Sequence, residues 1–442
     1  MLFMGYRPCG AFERTDMPPG LHGGAMRGRL AAIGMGLFLA WVLPSGVSIA
    51  QDQAKDEKTG AAFQPSLDAA TCKDWMQRWK ANVVSDSNTR FCDKEMGEEC
   101  GWMVSPFLNA YYYGYLATGD RAWVDRLIDW SDSVIKRGLK GPDGYLGWPR
   151  FGGAAHTGAI VDRYSDDTLG EAMFFRPIVL MSGEILKTPA LKKEYGAKAE
   201  GYIKLSEQMF DKWDSRGAWH ETKEGGVWVL PPFAIDQKTN QWTAGYELRN
   251  KEGFSRPDNM QNFIAEWLLA MYDVTHKTIY KDRAEKWFRV MKSRMKLRDD
   301  GKYFVWDYWD PAGPWDYNAD GSTKHWVGVH PNGGYYECDL GGIVDAYEHG
   351  LVFTKEDIAR LIATNRDFMW NHQVEHAKFQ RIDGEAPDPH YADSPGVLWD
   401  ALAPYDPTLW KIFVANYNPG SWGGMGAPEW VARFGPKSKA GR

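Results

Sequence analysis

The sequence predicts an all-α fold: an (α/α)n toroid, an incomplete barrel of about six or seven helical hairpins, with long aromatic-rich loops at one rim. Two observations predict it. The first is a recurring unit of helix, short turn, helix and a closing turn of Asp-Gly-aromatic type. Residues 102–118 carry helical apolar spacing through Phe107, Leu108, Tyr111, Tyr112, Tyr115 and Leu116. A Thr-Gly-Asp turn at 118–120 leads to a second helix over 121–137, and Asp143-Gly144-Tyr145 closes the unit. Residues 259–307 repeat the order, with a turn at 275–277 and the closing Asp300-Gly301-Lys302-Tyr303. The second observation is the length of the segments between units. An open solenoid joins its repeats by short loops, whereas loops longer than about 12–15 residues are commonly functional.

Each element follows in order. Residues 1–50 read as a secretory signal with an extended N-terminus. Arg27 and Arg29 precede an apolar run too short for a typical membrane span, and small residues Ser48 and Ala50 mark a cleavage site. Residues 51–66 are a polar linker, and 67–442 form a single toroid domain. The expected location is secreted or periplasmic. A first helix spans 67–84, and 85–101 is a polar loop holding Cys92 and Cys100, close enough in sequence to pair. Looser hairpin copies span 168–220 and 335–384, and a shorter pair spans 397–416. The Gly-, Trp- and Pro-rich tail after 418 is expected to drape over the body.

Composition narrows the function classes. The 442 residues include 22 Trp, 21 Tyr and 20 Phe. Aromatic rings fill cores, and they also stack on the C–H faces of sugar rings. A net charge of −6 offers no basic field for nucleic acid. No Walker, EF-hand or zinc-spaced motif is present, and neither cofactor nor metal is expected. An anionic partner would have to meet local positive charge.

In a toroid the loops entering the inner helices share one end, and here they carry the polar residues. One loop holds Trp148, His156, Arg163, Tyr164, Asp166 and Asp167. A second holds Arg256, Asn259 and Asn262. A third, 325–339, gathers His325, His330, Asn332, Tyr335 and Tyr336. A fourth holds His390, Tyr391 and Asp393. Asp166 and Asp167 also sit where an N-cap and a first-turn carboxylate belong.

With these hairpins, aromatic turns and Asn/Arg/His/Tyr-bearing loops, the chain over 102–416 resembles the (α/α)-toroid polysaccharide lyases, in particular alginate and glucuronan lyases. The resemblance implies β-elimination on an acidic polysaccharide. Asn259 and Arg256 would neutralise the uronate carboxylate, and His330 and Tyr336 would move protons. The other loop residues, His156, Arg163, Tyr164, Asn262, His325, Asn332, Tyr335, His390, Tyr391 and Trp148, would bind the chain. Those families often place an Arg a few residues before the Tyr, whereas here His330 stands six residues before Tyr336. Two alternatives remain open. A glycoside hydrolase on the same toroid would use Asp166, Asp167, Glu171, Glu337, Asp339 or Asp393 as its paired carboxylates. A non-catalytic glycan-binding protein would use the aromatic rings alone.

Overall fold

The computed structural model describes residues 63–148, 163–164, 166–230, 234–236, 238–243, 253–298, 301–392, 394–419 and 426–436. The expected signal segment and most of the expected linker lie outside these residues, as do His156 and Asp393. No helix among the described residues is long and apolar enough to cross a membrane.

Eleven α-helices are described: α1 (Ala69–Asp86), α2 (Ser105–Thr118), α3 (Ala122–Lys136), α4 (Thr168–Lys187), α5 (Pro189–Ser215), α6 (Asp258–Thr275), α7 (Thr278–Arg294), α8 (Gly334–Glu348), α9 (Lys355–Ala363), α10 (Pro407–Asn416) and α11 (Ala427–Phe434). Burial divides them into two layers. Every residue of α6 from Asp258 to Met271 is buried, and so is every residue of α8 from Gly334 to Ala346. A helix apolar or buried all round belongs inside a fold. In α3, by contrast, Trp123, Val124, Leu127, Ile128, Trp130, Ser131 and Val134 form one buried stripe and the rest faces out.

The inner helices touch in sequence, α2 on α4, α4 on α6 and α6 on α8. A 3-10 segment, Asp400–Tyr405, follows α8 in the inner layer and packs against α10. The ring returns through α11, which packs on α2 and on α1. Trp430 of α11 meets Phe413 of α10 at 4.4 Å between ring centres, and Leu67 N–H donates to Phe434 O at 2.8 Å. The fold is therefore the expected (α/α) toroid, with six helical pairs among the described residues. Five are consecutive in the chain. The sixth joins the two ends, α11 inside and α1 outside. The tail was expected to drape; α11 is instead a wall of the ring.

The closing turns of the repeats are short antiparallel hairpins at the C-termini of outer helices. β1 (Leu139–Lys140) pairs with β2 (Leu146–Gly147) after α3, and β4 (Trp219–Glu221) pairs with β5 (Gly226–Trp228) after α5. Between them in sequence lies β3 (Arg163–Tyr164). It joins β6 (Ala234–Asp236) and β7 (Trp242–Thr243) in a three-stranded sheet, and Arg163 and Tyr164 are placed by that pairing. After α7, β8 (Lys296–Leu297) pairs with β9 (Phe304–Val305). These hairpins mark the end at which the chain passes from outer to inner helices. The inner-helix N-termini point to that end, and it forms the mouth.

Most of the aromatic residues that attracted attention in the sequence are core. Trp79, Trp148, Trp267, Trp287, Trp306, Trp309 and Trp399 are fully buried. Trp148 was expected to bind substrate. Its indole N–H donates to Val134 O at 2.7 Å, and its ring packs on Phe174 and Phe175. It seals the first hairpin against α4. Cys72, Cys92, Cys100 and Cys338 are buried and form no disulfide with one another, so the Cys92–Cys100 proximity in sequence is not used for one.

Candidate active site at the mouth of the toroid

A second apolar cluster, separate from the main core, lines the mouth. Trp102 comes from the π turn preceding α2, Leu169 and Met173 from α4, Met260 and Phe263 from α6, and Tyr335 and Cys338 from α8. Phe254, Tyr308 and Trp309 from the intervening loops complete it. Trp102 meets Phe263 edge-on at 5.7 Å, which ties the first inner helix to the third across the opening.

Polar groups sit on this cluster. Asp167 is the N-cap of α4 and accepts from Leu169 N–H at 2.8 Å and Gly170 N–H at 3.3 Å. Its side chain is 20% exposed. The Arg256 guanidinium reaches both of its oxygens at 3.3 Å. Carboxylates are favoured at a helix N-terminus by the N–H groups and the helix dipole. Glu98 lies at the same helix end and accepts from the Trp102 indole at 3.0 Å. Gly170 sets this approach: a Cβ there would lie 2.7 Å from Glu98 Cα and would collide with Gly97 O. Backbone atoms cannot step aside as a flexible side chain can. Gly170→Ala is therefore expected to cost about 1–3 kcal/mol, as overpacking does, and to lower turnover by moving Glu98 from Asp167. Thermal unfolding and rate measured together test this.

Asn259, in the first turn of α6, is 1% exposed, and neither its amide nitrogen nor its oxygen has a partner among the described residues. Arg256 Nε and Thr168 Oγ1 are buried and unpaired as well. A buried polar group left unpaired costs about 1–3 kcal/mol, so each of these atoms calls for a partner that the described residues do not supply. Arg256 and Asn259 were both expected here from the sequence; the structure sets Arg256 against Asp167 and Asn259 in the first turn of the helix that follows Arg256.

The other adjacent carboxylates serve the scaffold. Asp166 accepts from Arg216 at 2.7 Å and lies 3.4 Å from Lys212 Nζ. Lys212, fully buried, also donates to Glu171 at 2.5 Å and Leu146 O at 2.9 Å. Burial raises the Glu171 carboxyl to about 7, against the pull of Lys212. Asp339 accepts from Asn262 and Trp306, each at 2.8 Å, and burial pushes its carboxyl well above the usual range. Glu337 is buried in the first turn of α8.

Several expected site residues are spent on structure. Asn262 was expected to bind substrate, but its nitrogen donates to Asp339 and its oxygen accepts from Trp287 at 2.7 Å. The Asn332 oxygen caps Gly334 N–H at 2.9 Å, which opens α8. Tyr336, expected to transfer protons, is 2% exposed. Its hydroxyl accepts from His330 N–H at 2.8 Å and contacts Trp306 O at 3.4 Å. Burial pushes the phenol well above its ordinary value. A hydroxyl so held anchors the 325–336 loop to the core and is a poor proton shuttle.

His330 stays at the rim. Its Nδ1 accepts from Asn332 N–H at 3.0 Å, which leaves the proton of the neutral ring on Nε2. Burial, with His325 and Arg381 nearby, lowers it to about 3. It is therefore a neutral donor at neutral pH, and with Nδ1 occupied it cannot serve as the expected base or as a cation against a carboxylate. Its ring meets Tyr335 at 4.2 Å and Tyr391 at 5.6 Å. His390 and Tyr391, on a short 3-10 turn, and His325, beside Phe254 and Trp309, complete the rim. Sequence reasoning missed Glu98. Nothing local distinguishes it, since only its packing on Gly170, far along the chain, brings it to the mouth.

No family model matches the sequence, and no curated protein matches it. Solved structures resemble the fold at low identity. An inactive variant of the α-1,6-mannanase GH76A of Salegentibacter sp. HEL1_6, in complex with α-1,6-mannotriose, is 10% identical, with 82% of this chain and 100% of that one covered and a TM-score of 0.45. The cellobiose 2-epimerase from Spirochaeta thermophila is 11% identical over 82% and 85%, with a TM-score of 0.45. The unsaturated glucuronyl hydrolase from Bacillus sp. GL1 is 12% identical over 80% and 86%, with a TM-score of 0.43. At these identities and scores, activity has to be argued from the mouth itself.

Proposed function

We propose that the chain is a carbohydrate-active enzyme that hydrolyses a glycan at the mouth of the toroid. The observation that carries this reading is Asp167 at the N-terminus of α4, where Arg256 reaches it and the Glu98 backbone packs against Gly170, with Asn259, close to Arg256 in sequence, unpaired among the described residues. Glycoside hydrolysis needs two carboxyl groups, one to protonate the leaving oxygen and one to activate water or attack the anomeric carbon. Asp167 takes the second role, because two N–H groups and a guanidinium hold its ionised form. Glu98, which accepts from the Trp102 indole at 3.0 Å, takes the role of proton donor. Asn259 and Arg256 Nε bind sugar oxygens next to the scissile bond. The aromatic cluster beneath them excludes water and strengthens each of these interactions.

A β-eliminating reading keeps one observation in its favour. The Asn259 amide and Arg256 Nε form the donor set that a uronate carboxylate would need. Its expected proton-transfer residue, Tyr336, is buried and engaged. Both readings are tested on polymannuronate, polyguluronate, glucuronan, a glycosaminoglycan, a neutral β-mannan and a β-glucan. The expected outcome is new reducing ends on at least one polymer with no ultraviolet absorbance from a new C=C bond. Absorbance rising in step with chain cleavage would replace hydrolysis by elimination. Retention of the polymers without any cleavage would leave a binding protein.

A further inference from the structure

Beyond the carboxylates, the rim carries an aromatic plate. Trp326 keeps 39% of its surface exposed although its ring lies nearly parallel to Tyr308, 5.8 Å away at 18°. The plate is held from behind. Tyr308 N–H donates to Gly328 O at 2.8 Å. His330 and Tyr335 brace the Tyr308 ring edge-on, at 4.9 Å and 5.0 Å. Gly328 has a φ of +154°, and a Cβ there would sit 3.1 Å from the Trp326 ring. The loop thus uses a residue without a side chain to let the indole lie flat. Exposed tryptophans are costly in water, and one fixed in orientation loses no further rotamer entropy on binding. Beside it, His330 presents a neutral N–H, 5.7 Å between ring centres.

We propose that Trp326, backed by Tyr308 and flanked by His330, is a subsite for an uncharged pyranose ring of a glycan chain that continues outward from the mouth. A flat indole takes the C–H face of a sugar, and a neutral donor pairs with a hydroxyl. A carboxylate at C6 would require a cation, and the two described in this region are engaged elsewhere: Arg381, near His330, pairs with Asp383 and donates to Val329 O, and Lys324 donates to Gly253 O. The inference rests on the hydrolase reading in placing the chain, and it adds that the substrate is a polymer with neutral sugars beyond the cleavage point.

Matched gels containing β-1,4-mannan or polymannuronate, which share a backbone and differ at C6, separate the possibilities by affinity electrophoresis. A neutral β-1,4-glucan, an α-1,6-mannan and a xylan extend the neutral set. The whole chain is expected to be retarded by at least one neutral polymer. Trp326→Ala should weaken that retardation about tenfold. Gly328→Ala should weaken it in part, with the indole still present but tilted, and Trp326→Phe should restore most of it. Where a neutral polymer is cleaved, Trp326→Ala should raise KM for long chains and leave kcat and the KM of the shortest cleaved oligomer unchanged. Retardation by polymannuronate alone, no retardation in any neutral gel, or retardation insensitive to Trp326→Ala would each overturn the subsite. Retardation that depends on Trp326 without cleavage of any polymer would leave the subsite standing and remove the hydrolase reading.

Discussion

Asp167→Asn is expected to reduce turnover by about 10²–10⁴-fold while the protein remains folded. The substitution separates two roles that the residue combines. As an N-cap, Asn is about as good as Asp, so the bonds from Leu169 and Gly170 N–H survive. The new amide oxygen still accepts from Arg256. A stability change below about 1 kcal/mol follows. What is removed is the negative charge, and with it the capacity to activate water or to attack. Asp167→Ala would lose the cap as well and is the less informative variant. Urea unfolding and the rate on the responsive polymer, measured on the same preparation, decide the matter. A variant as active as the wild type would limit Asp167 to capping α4.

Lys212→Met is expected to be among the most destabilising single changes, at about 3–5 kcal/mol. Lys212 is fully buried and joins Glu171, Asp166 and Leu146 O across the wall beneath the mouth. Methionine fills a similar volume but leaves two carboxylates in a low-dielectric interior with less positive charge. The sign of the pH dependence follows. Burial already holds the folded Glu171 carboxyl near 7, above its ordinary 4.5, and Lys212 is the main influence pulling it down. Without that cation the folded group binds its proton more tightly still. A carboxyl raised in the folded state makes stability fall as pH rises above the unfolded value. Between pH 5 and 8 the two proteins should therefore lose stability alike up to about pH 7, and above it the variant should go on losing stability where the wild-type group is ionised in both states. Urea midpoints at several pH values across that range test both the magnitude and the slope. Parallel curves for the two proteins would show that Glu171 does not depend on Lys212.

The helical pairs were legible because local apolar spacing is enough to specify them. The stripe in α3 and the Thr-Gly-Asp turn before it repeat a pattern seen again in α6 and α7. α11 was not legible. It spans only Ala427–Phe434, follows a Gly-rich stretch, and is held by Trp410, Phe413 and α2 from elsewhere in the chain. At the site, the loop before α6 was readable as polar and aimed at the mouth, and it does bring Arg256 and Asn259 there. The sequence could not tell which polar atoms are already paired. Asn259 and Asn262 stand three residues apart on one helix, yet the first has no partner among the described residues and the second is closed between Asp339 and Trp287. Tyr335 and Tyr336 are adjacent, and the helical rotation between them separates a rim ring from a buried anchor. Such distinctions arise from tertiary contacts, and residue type carries no record of them.

The most direct test of the account is the mass of the products formed in ¹⁸O-labelled water from the polymer that responds. Hydrolysis places one solvent oxygen in each cleavage event, so the newly formed ends should carry the label, and Asp167→Asn should remove it along with the product. Unlabelled fragments, lighter by one water and carrying a double bond, would contradict hydrolysis and return Arg256 and Asn259 to the neutralisation of a uronate.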